Sequence, residues 1–372
     1  MAKEDNESLV SVILPIYNAE RYLDQAIKSA QDQAYRNIEI ICVNDGSTDG
    51  SLSIIKRHAE ADSRIKVIDK ENQGYGASMN RGIEESQGKW IAILEPDDWI
   101  EPGMLRDMLV FAAQFDEEVD IVKTPYWRIK NADTPQQQKL NCPYRLRVKQ
   151  SKKPGTIHDI IPVFHNHPSI WSAIYRRDFL DENGIRFMPI PGSGWSDNPF
   201  LAETLCRAKR ILYYDRPYYC YREGTDEESI RFHKNNPLIP FERWEQMLDI
   251  IEETGMDTDD ILTAHYSRGF MYMSGVIEQV PLESNPDVMS ATKHMFARMK
   301  PELVEAYPRI SPGCRRLYAE LRGMPAPKIN HLQYVGNLIE QTIVNTRTIG
   351  LAPTLEGIGH YLSAYKNRTG GR

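Results

Sequence analysis

Cysteine is scarce, with five in 372 residues: Cys42, Cys142, Cys206, Cys220 and Cys314. Their number is odd and no two form a C-x-x-C pair, so they build neither a disulfide framework nor a zinc knuckle. They read as reduced, mostly buried thiols of a cytoplasmic protein. Long apolar runs are missing too. Val10 to Leu14 and Trp90 to Leu94, among the longest, fall far short of the roughly 18 residues of a membrane-spanning helix and have the length of buried strands. Met1 to Ser8 lacks the basic and apolar regions of a secretory signal, so export is not expected. Positive charge is not in excess: 45 Lys and Arg face 52 Asp and Glu, a net charge of -7 that gives nucleic acid no general attraction. After the first expected strand stands Pro15-Ile16-Tyr17-Asn18 rather than a glycine-rich phosphate loop. That argues against a nucleotidyltransferase or a dinucleotide-binding oxidoreductase.

What is present is ordinary globular composition, 41% hydrophobic and 26% charged. From Leu9 to Val122, short β-branched-rich runs alternate with helical stripes such as Tyr22, Leu23, Ala26, Ile27 and Ala30. This order predicts an α/β fold with a mostly parallel, Rossmann-like sheet covered by helices. Ligands of such sheets bind beyond the carboxyl ends of the strands. There the chain places Pro15 to Asn18, Asn44 to Asp49, Asp69 to Gly74 and Glu95 to Trp99. Periodicity fades from about Thr124 to Pro154, which reads as an irregular insertion. From about Pro237 the pattern turns helical, with Trp244, Met247, Leu248 and Ile251 on one stripe that ends at Gly255. The expected division is a catalytic unit over 1–235, with donor binding in about 9–125 and the acceptor side in about 155–235, and a helical C-terminal subdomain over 236–372.

Glu95-Pro96-Asp97-Asp98 sets three carboxylates after a strand expected to be buried. Hard divalent cations take such oxygen ligands, usually one or two carboxylates plus substrate phosphates. The bland alternative is an acidic loop capping the next helix. Asn44 to Gly50 reads as a turn and N-cap, with Asp45 able to accept a hydrogen bond from a nucleobase ring N–H. Gly74 permits either a plain turn or a close approach of backbone to a ligand.

Taken in order, these segments resemble the inverting family-two glycosyltransferases of the GT-A fold. Val12 to Asn18 looks like the family's opening strand and loop, Val43 to Asp49 like its nucleotide-contacting turn, and Glu71 to Gly74 through Asn80-Arg81-Gly82 like its third loop and helix. Glu95 to Asp98 looks like its D-x-D motif, Ile170 to Leu180 like its acceptor-side stretch, and Trp195 to Phe200 like its E-D-x-x-F motif. Tyr219 to Arg222, followed by Ser229-Ile230, resembles the closing strand and donor-side loop. The resemblance implies a hexosyltransferase using a nucleotide-sugar, with UDP as nucleotide and Mn2+ or Mg2+ as cofactor. The acceptor implied is a glycan or a lipid-linked or protein-linked hydroxyl, within bacterial polysaccharide or glycoconjugate synthesis. It casts Asp197 as general base. Pro15, Tyr17, Asn18, Asp45, Gly74, Asn80, Glu95, Asp97, Arg222 and Ser229 fall on the donor, and Asp97, Asp98 and His233 on the metal. Three positions depart from the pattern: Glu95 lengthens the first D-x-D arm, Met79 stands where many members carry arginine, and Ser196 replaces the glutamate before the base. Those departures keep a non-catalytic nucleotide-sugar binder as the alternative function.

His158, His165 and His167 invite a zinc site, against which stand acceptor contact or plain surface. Trp99 and Trp195 suit either sugar stacking or core packing. The basic stretch Arg145 to Lys153 is a solvated face, or touches an anionic lipid surface or a phosphate-bearing acceptor. Peripheral contact with the inner face of a membrane and self-association through the tail are the remaining partner expectations. Asn367-Arg368-Thr369 matches a glycosylation sequon, which carries no meaning without export.

Overall fold

The four β-branched runs become four parallel strands: β1 (Val10–Ile16), β2 (Ile38–Asp45), β3 (Ile65–Lys70) and β4 (Trp90–Ile93). The computed structural model describes residues 8–190, 192, 194–224, 226–328, 330–351 and 353–355. In β1 every residue is buried, with Val12 opposite Ile40 on one side and Ala92 on the other. Between the strands run α1 (Leu23–Gln31), α2 (Ser51–Ala61) and α3 (Tyr75–Glu84), with Leu23, Ala26, Ile27 and Ala30 of α1 turned into the core. Helix α3 sits so close to β1 that a Cβ on Gly82 would stand 2.4 Å from Ile13 Cγ2. Glycine there sets the depth at which this helix seats.

After β4 follow β5 (Trp99–Ile100), α4 (Met104–Ala112), β6 (Ile121–Lys123), β7 (Tyr126–Lys130) and β8 (Gln138–Asn141). Then come α5 (Ile161–His165), β9 (Ala173–Arg176), α6 (Arg177–Glu182), α7 (Asp197–Arg207), β10 (Ile211–Tyr213) and β11 (Tyr219–Arg222). The main sheet has the order β10-β6-β9-β4-β1-β2-β3, mostly parallel, with β9 antiparallel to both neighbours. A second sheet runs β5-β11-β7-β8. Here the expectation of an irregular insertion is corrected: β7 and β8 pair antiparallel from Trp127–Asn141 to Lys130–Gln138. Strand β8 is an edge whose residues are exposed or half-buried, so no apolar alternation marks it in the sequence.

The tail folds as α8 (Asp226–Asn235), α9 (Ile239–Glu253), α10 (Asp259–Gln279), α11 (Pro286–Ala297), α12 (Pro301–Ala306), α13 (Pro312–Leu321) and α14 (His331–Ile349). The expected stripe Trp244, Met247, Leu248 and Ile251 is buried in α9, which packs on α7. Helix α9 stops where Gly255 takes a φ of 69° and the Met256 amide donates back to the Ile251 carbonyl at 2.9 Å. Arg298 at the end of α11 bonds Glu245, Asp249 and Glu252 of α9. Helix α14 returns to the β7–β8 hairpin, where the Asn141 amide donates to the Thr348 carbonyl at 2.7 Å. Among the described residues no helix is long and apolar enough to cross a membrane.

Candidate active site

The carboxyl ends of β1, β2 and β3 are clasped together by their own side chains. Asn18, with a φ of 48°, accepts from the Thr48 amide at 2.8 Å while its own amide donates to Ser47 Oγ at 3.1 Å. Asp45 is buried at the end of β2 and accepts from the Gln73 and Gly74 amides, each at 2.9 Å, and from Lys70 Nζ. Both oxygens of Asp45, the residue expected at a nucleobase, also hold the β3–α3 loop. Pro15 is buried within β1, whereas Tyr17 just beyond it is 52% exposed at the rim. Gly74 has a φ of 91°, and a Cβ there would lie 2.4 Å from the Ile190 carbonyl, so this turn requires glycine. Asn80, expected on the donor, instead bridges α3 to the chain before α7. Its amide donates to the Phe187 carbonyl and its oxygen accepts from the Phe187 amide, both at 2.8 Å. Met79 is fully buried beside it, as a core residue.

Beyond β4 the acidic segment splits by depth. Asp98 is buried, its Oδ1 accepting from the Arg222 amide at 2.7 Å, which ties this loop to β11. Its Oδ2 has no hydrogen bond of sound geometry, the nearby Tyr219 hydroxyl giving only partial relief. Burial, then the charge of Asp97, holds this carboxyl well above the usual range. Glu95 accepts from the Tyr75 hydroxyl at 2.6 Å and is pushed up to about 8, by burial first and then by Asp97 and Asp197. Asp97 is exposed and faces a groove of about 1080 Å3 whose walls include Arg21, Tyr22, Arg128, Tyr221 and Arg222. Arg222 anchors that wall. It donates to the Asp97 carbonyl at 2.8 Å, to Asp133 at 2.6 Å and to Gln25 at 2.9 Å, and lies 4.2 Å from the Tyr22 ring centroid.

A divalent cation fits these residues by their chemistry: mutually repelling carboxylates, one with an orphaned buried oxygen, offer hard oxygen ligands. Among the described residues no three His, Cys, Asp or Glu side chains converge as a complete metal site. His233 is the third residue expected on the metal. It lies on α8 with its ring edge-on to Trp195, 6.0 Å between centroids, and its Nε2 close to Gly275 of α10. Ser229 lies on α8 outside the side chains described. The three histidines also part: His158 pairs with Asp260 at 2.8 Å, His165 lies near the Ala264 carbonyl, and His167 opens to the groove.

Asp197 begins α7 and lines a pocket of about 450 Å3 with Asn166, His167, Trp195, Tyr221 and Arg268. His167 and Tyr221 also line the Asp97 groove, so the two spaces share a wall. The helix N-terminus and the Asn198 amide, 3.1 Å from Asp197 Oδ1, favour the ionised carboxylate, yet burial dominates and raises it to about 6. Arg268 opposes that rise from α10. It is buried and donates to Asn198 Oδ1 and the Tyr272 hydroxyl, both at 2.9 Å, and to the Phe164 and Asn166 carbonyls. Arg268 had no place among the sequence expectations. Its signal was available, because it falls on the buried stripe Ile261, His265, Arg268 and Val276, where a lone arginine needs partners.

Residues 11–183 match the profile of Glycosyl transferase family 2. This region is a family 2 glycosyltransferase domain. The chain is 33% identical over 228 residues to the putative glycosyltransferase EpsH of Bacillus subtilis, covering 60% of this chain and 64% of that protein. It is 28% identical over 234 residues to a cholesterol galactosyltransferase of Borreliella burgdorferi, covering 61% and 64%. It thus spans less than two thirds of the length of these relatives. The solved structure of S. aureus TarS in complex with UDP-GlcNAc superposes with a TM-score of 0.65 at 19% identity, over 91% of each chain, and shows that the fold is of GT-A type. The mannosyltransferase PcManGT of Pyrobaculum calidifontis, in complex with GDP-Man and Mn2+, gives a TM-score of 0.50 at 17% identity over 90% of this chain and 86% of that one.

Proposed function

We propose that this protein transfers a sugar from a nucleotide-sugar to an acceptor hydroxyl, by direct displacement with inversion of the anomeric centre. The observation that carries the reading is the placement of Asp197 across a shared wall from the Glu95–Asp97 segment. The donor enters over the ends of β1 to β4, with the exposed Tyr17 ring as a platform for the base. Asp45, Asn18 and Asn80 act as positioning residues, holding the loops on which the donor rests. UDP is the nucleotide we favour, because TarS was solved with UDP and with UDP-GlcNAc.

Asp97 and Asp98 are the ligands we assign to Mn2+ or Mg2+, Asp98 through its unpaired Oδ2, as two protein carboxylates suffice for a cation that also meets substrate phosphates. When bound, the cation supplies positive charge against the departing diphosphate. Asp98 holds the loop to β11 from beneath. On the opposite face, an acceptor hydroxyl in the Asp197 pocket gives up its proton to the carboxylate as it attacks. Burial in that pocket keeps the carboxylate basic enough to act near neutral pH. Arg268 fixes Asn198 and the turn after α5, and so orients the base. Trp195, stacked on Phe232 with centroids 5.2 Å apart, closes one side of the pocket. By the kind of relatives it matches, the setting is bacterial polysaccharide or glycoconjugate synthesis, on the cytoplasmic side.

The test is turnover of UDP-sugars and GDP-sugars with Mn2+, with Mg2+ and with chelator. A metal-dependent release of nucleotide from one donor class is expected. Binding without turnover of any donor would favour a nucleotide-sugar binder instead.

A further inference from the structure

A third cavity, of about 280 Å3, lies between α14, the start of α13 and the turn after α5, apart from the groove and the pocket above. Arg147, His165, Asn166, Arg309, Ser311 and Gln341 are among its walls. Arg147 is half-buried and held in place, its Nε donating to the Pro143 carbonyl at 2.8 Å and its terminal nitrogen to Asn345 Oδ1 at 3.1 Å. Burial, then the charge of Arg309, pulls its guanidinium below the ordinary range, with Glu340 of α14 pulling the other way. His165 is pulled down to about 4 by burial, then by Arg309, Arg268 and Arg147. Ser311 caps α13, so the positive end of a ten-residue helix adds to the same side. Two guanidiniums, Arg147 held and Arg309 exposed, and an imidazole around one space gain most from an anion that several donors can share.

Asn166 lines both this cavity and the Asp197 pocket. The end of α5 and the turn after it border both spaces, with His165 and Asn166 on the one and Asn166 and His167 on the other, and Arg268 holds the Phe164 and Asn166 carbonyls there. We propose that Arg147 and Arg309 bind a phosphate group carried by the acceptor, so that its hydroxyl reaches Asp197 while its phosphate rests behind this turn. A phosphate suits the cavity better than a carboxylate, because its oxygens engage both arginine forks at once. The proposal rests on the Asp197 pocket being the acceptor's. It gives Arg147, from the basic stretch of the sequence, a ligand in place of a solvated face.

Calorimetry of the full chain tests it, with inorganic phosphate, glycerol 3-phosphate and glycerol as probes at constant ionic strength. Arg309→Gln is the cleaner variant, since Arg309 is exposed, and Arg147→Gln is the second. We expect both phosphate probes to bind the wild type and glycerol not to, with each variant weakening the phosphate probes tenfold or more and leaving UDP affinity unchanged. Unchanged phosphate affinity in both variants overturns the site. Binding of inorganic phosphate without glycerol 3-phosphate overturns the acceptor assignment. A chain that binds phosphate here yet turns over no nucleotide-sugar sinks the transferase reading and the acceptor role with it. Turnover with no phosphate binding sinks this proposal alone.

Discussion

At the scale of single residues, placement gives Asp197 the properties that the proposed base requires. Its carboxyl is raised to about 6 by burial, against the pull of Arg268 and of the helix N-terminus it occupies. As a base it must be ionised, so kcat/KM is expected to climb as pH rises through about 6 and then level. A pH–rate profile checks this. The same shift has a stability sign: a folded-state pKa above the unfolded one means a penalty that builds from about pH 4 to 6 and is full above 6. Asp197→Asn removes that penalty. It is expected to lower kcat about a hundredfold while raising Tm by about 2 °C at pH 7.5 and by less near pH 4, read by calorimetry at both pH values. Asp197 was legible because a motif carries it. Arg268 was less so, because its partners are carbonyls and an asparagine brought together from distant segments.

At the scale of elements, the parallel strands were legible because β-branched runs buried on both faces leave a continuous apolar signature. The β7–β8 hairpin was not, since an edge pair beside a solvent groove needs little apolar periodicity. The donor-side loops were legible as a place, whereas the bonds that hold them were not. Asp45, Asn18 and Asn80 spend polar atoms on the backbones of neighbouring segments, and no spacing of residues reveals that a loop will be tied from within. Asp45→Ala should thus unfold as well as impair. Removing the acceptor of the buried Gly74 amide costs about 1–3 kcal/mol, so a Tm drop should accompany any rise in donor KM. An unchanged Tm would return Asp45 to a pure ligand role. Gly74→Ala faces a positive φ and a carbonyl 2.4 Å from the new Cβ, with an expected loss of about 1–3 kcal/mol in denaturant unfolding.

At the scale of the molecule, the helical tail is part of the fold that holds Asp197 in place. Phe241, Trp244, Met247, Leu248 and Ile251 are buried in α9, which packs on α10 and on α7, the helix that begins with Asp197. Each such side chain contributes about 1.5–3 kcal/mol on burial, together comparable with a total stability of about 5–15 kcal/mol. Truncation near Pro237 should therefore abolish cooperative unfolding in a thermal melt; a soluble, fully active fragment would show the tail to be dispensable. The boundary near residue 236 marks a change in sequence texture, and α10 crosses it by sending Arg268 into the pocket. The measurement that bears most directly on the whole account is the anomeric configuration of the product by NMR. It is taken with wild type and with Asp197→Asn, in the presence of a nucleotide-sugar and Mn2+. The account predicts an inverted product from the wild type and turnover reduced about a hundredfold in the variant. A product that retains the donor's configuration, or a variant that turns over like the wild type, would contradict it.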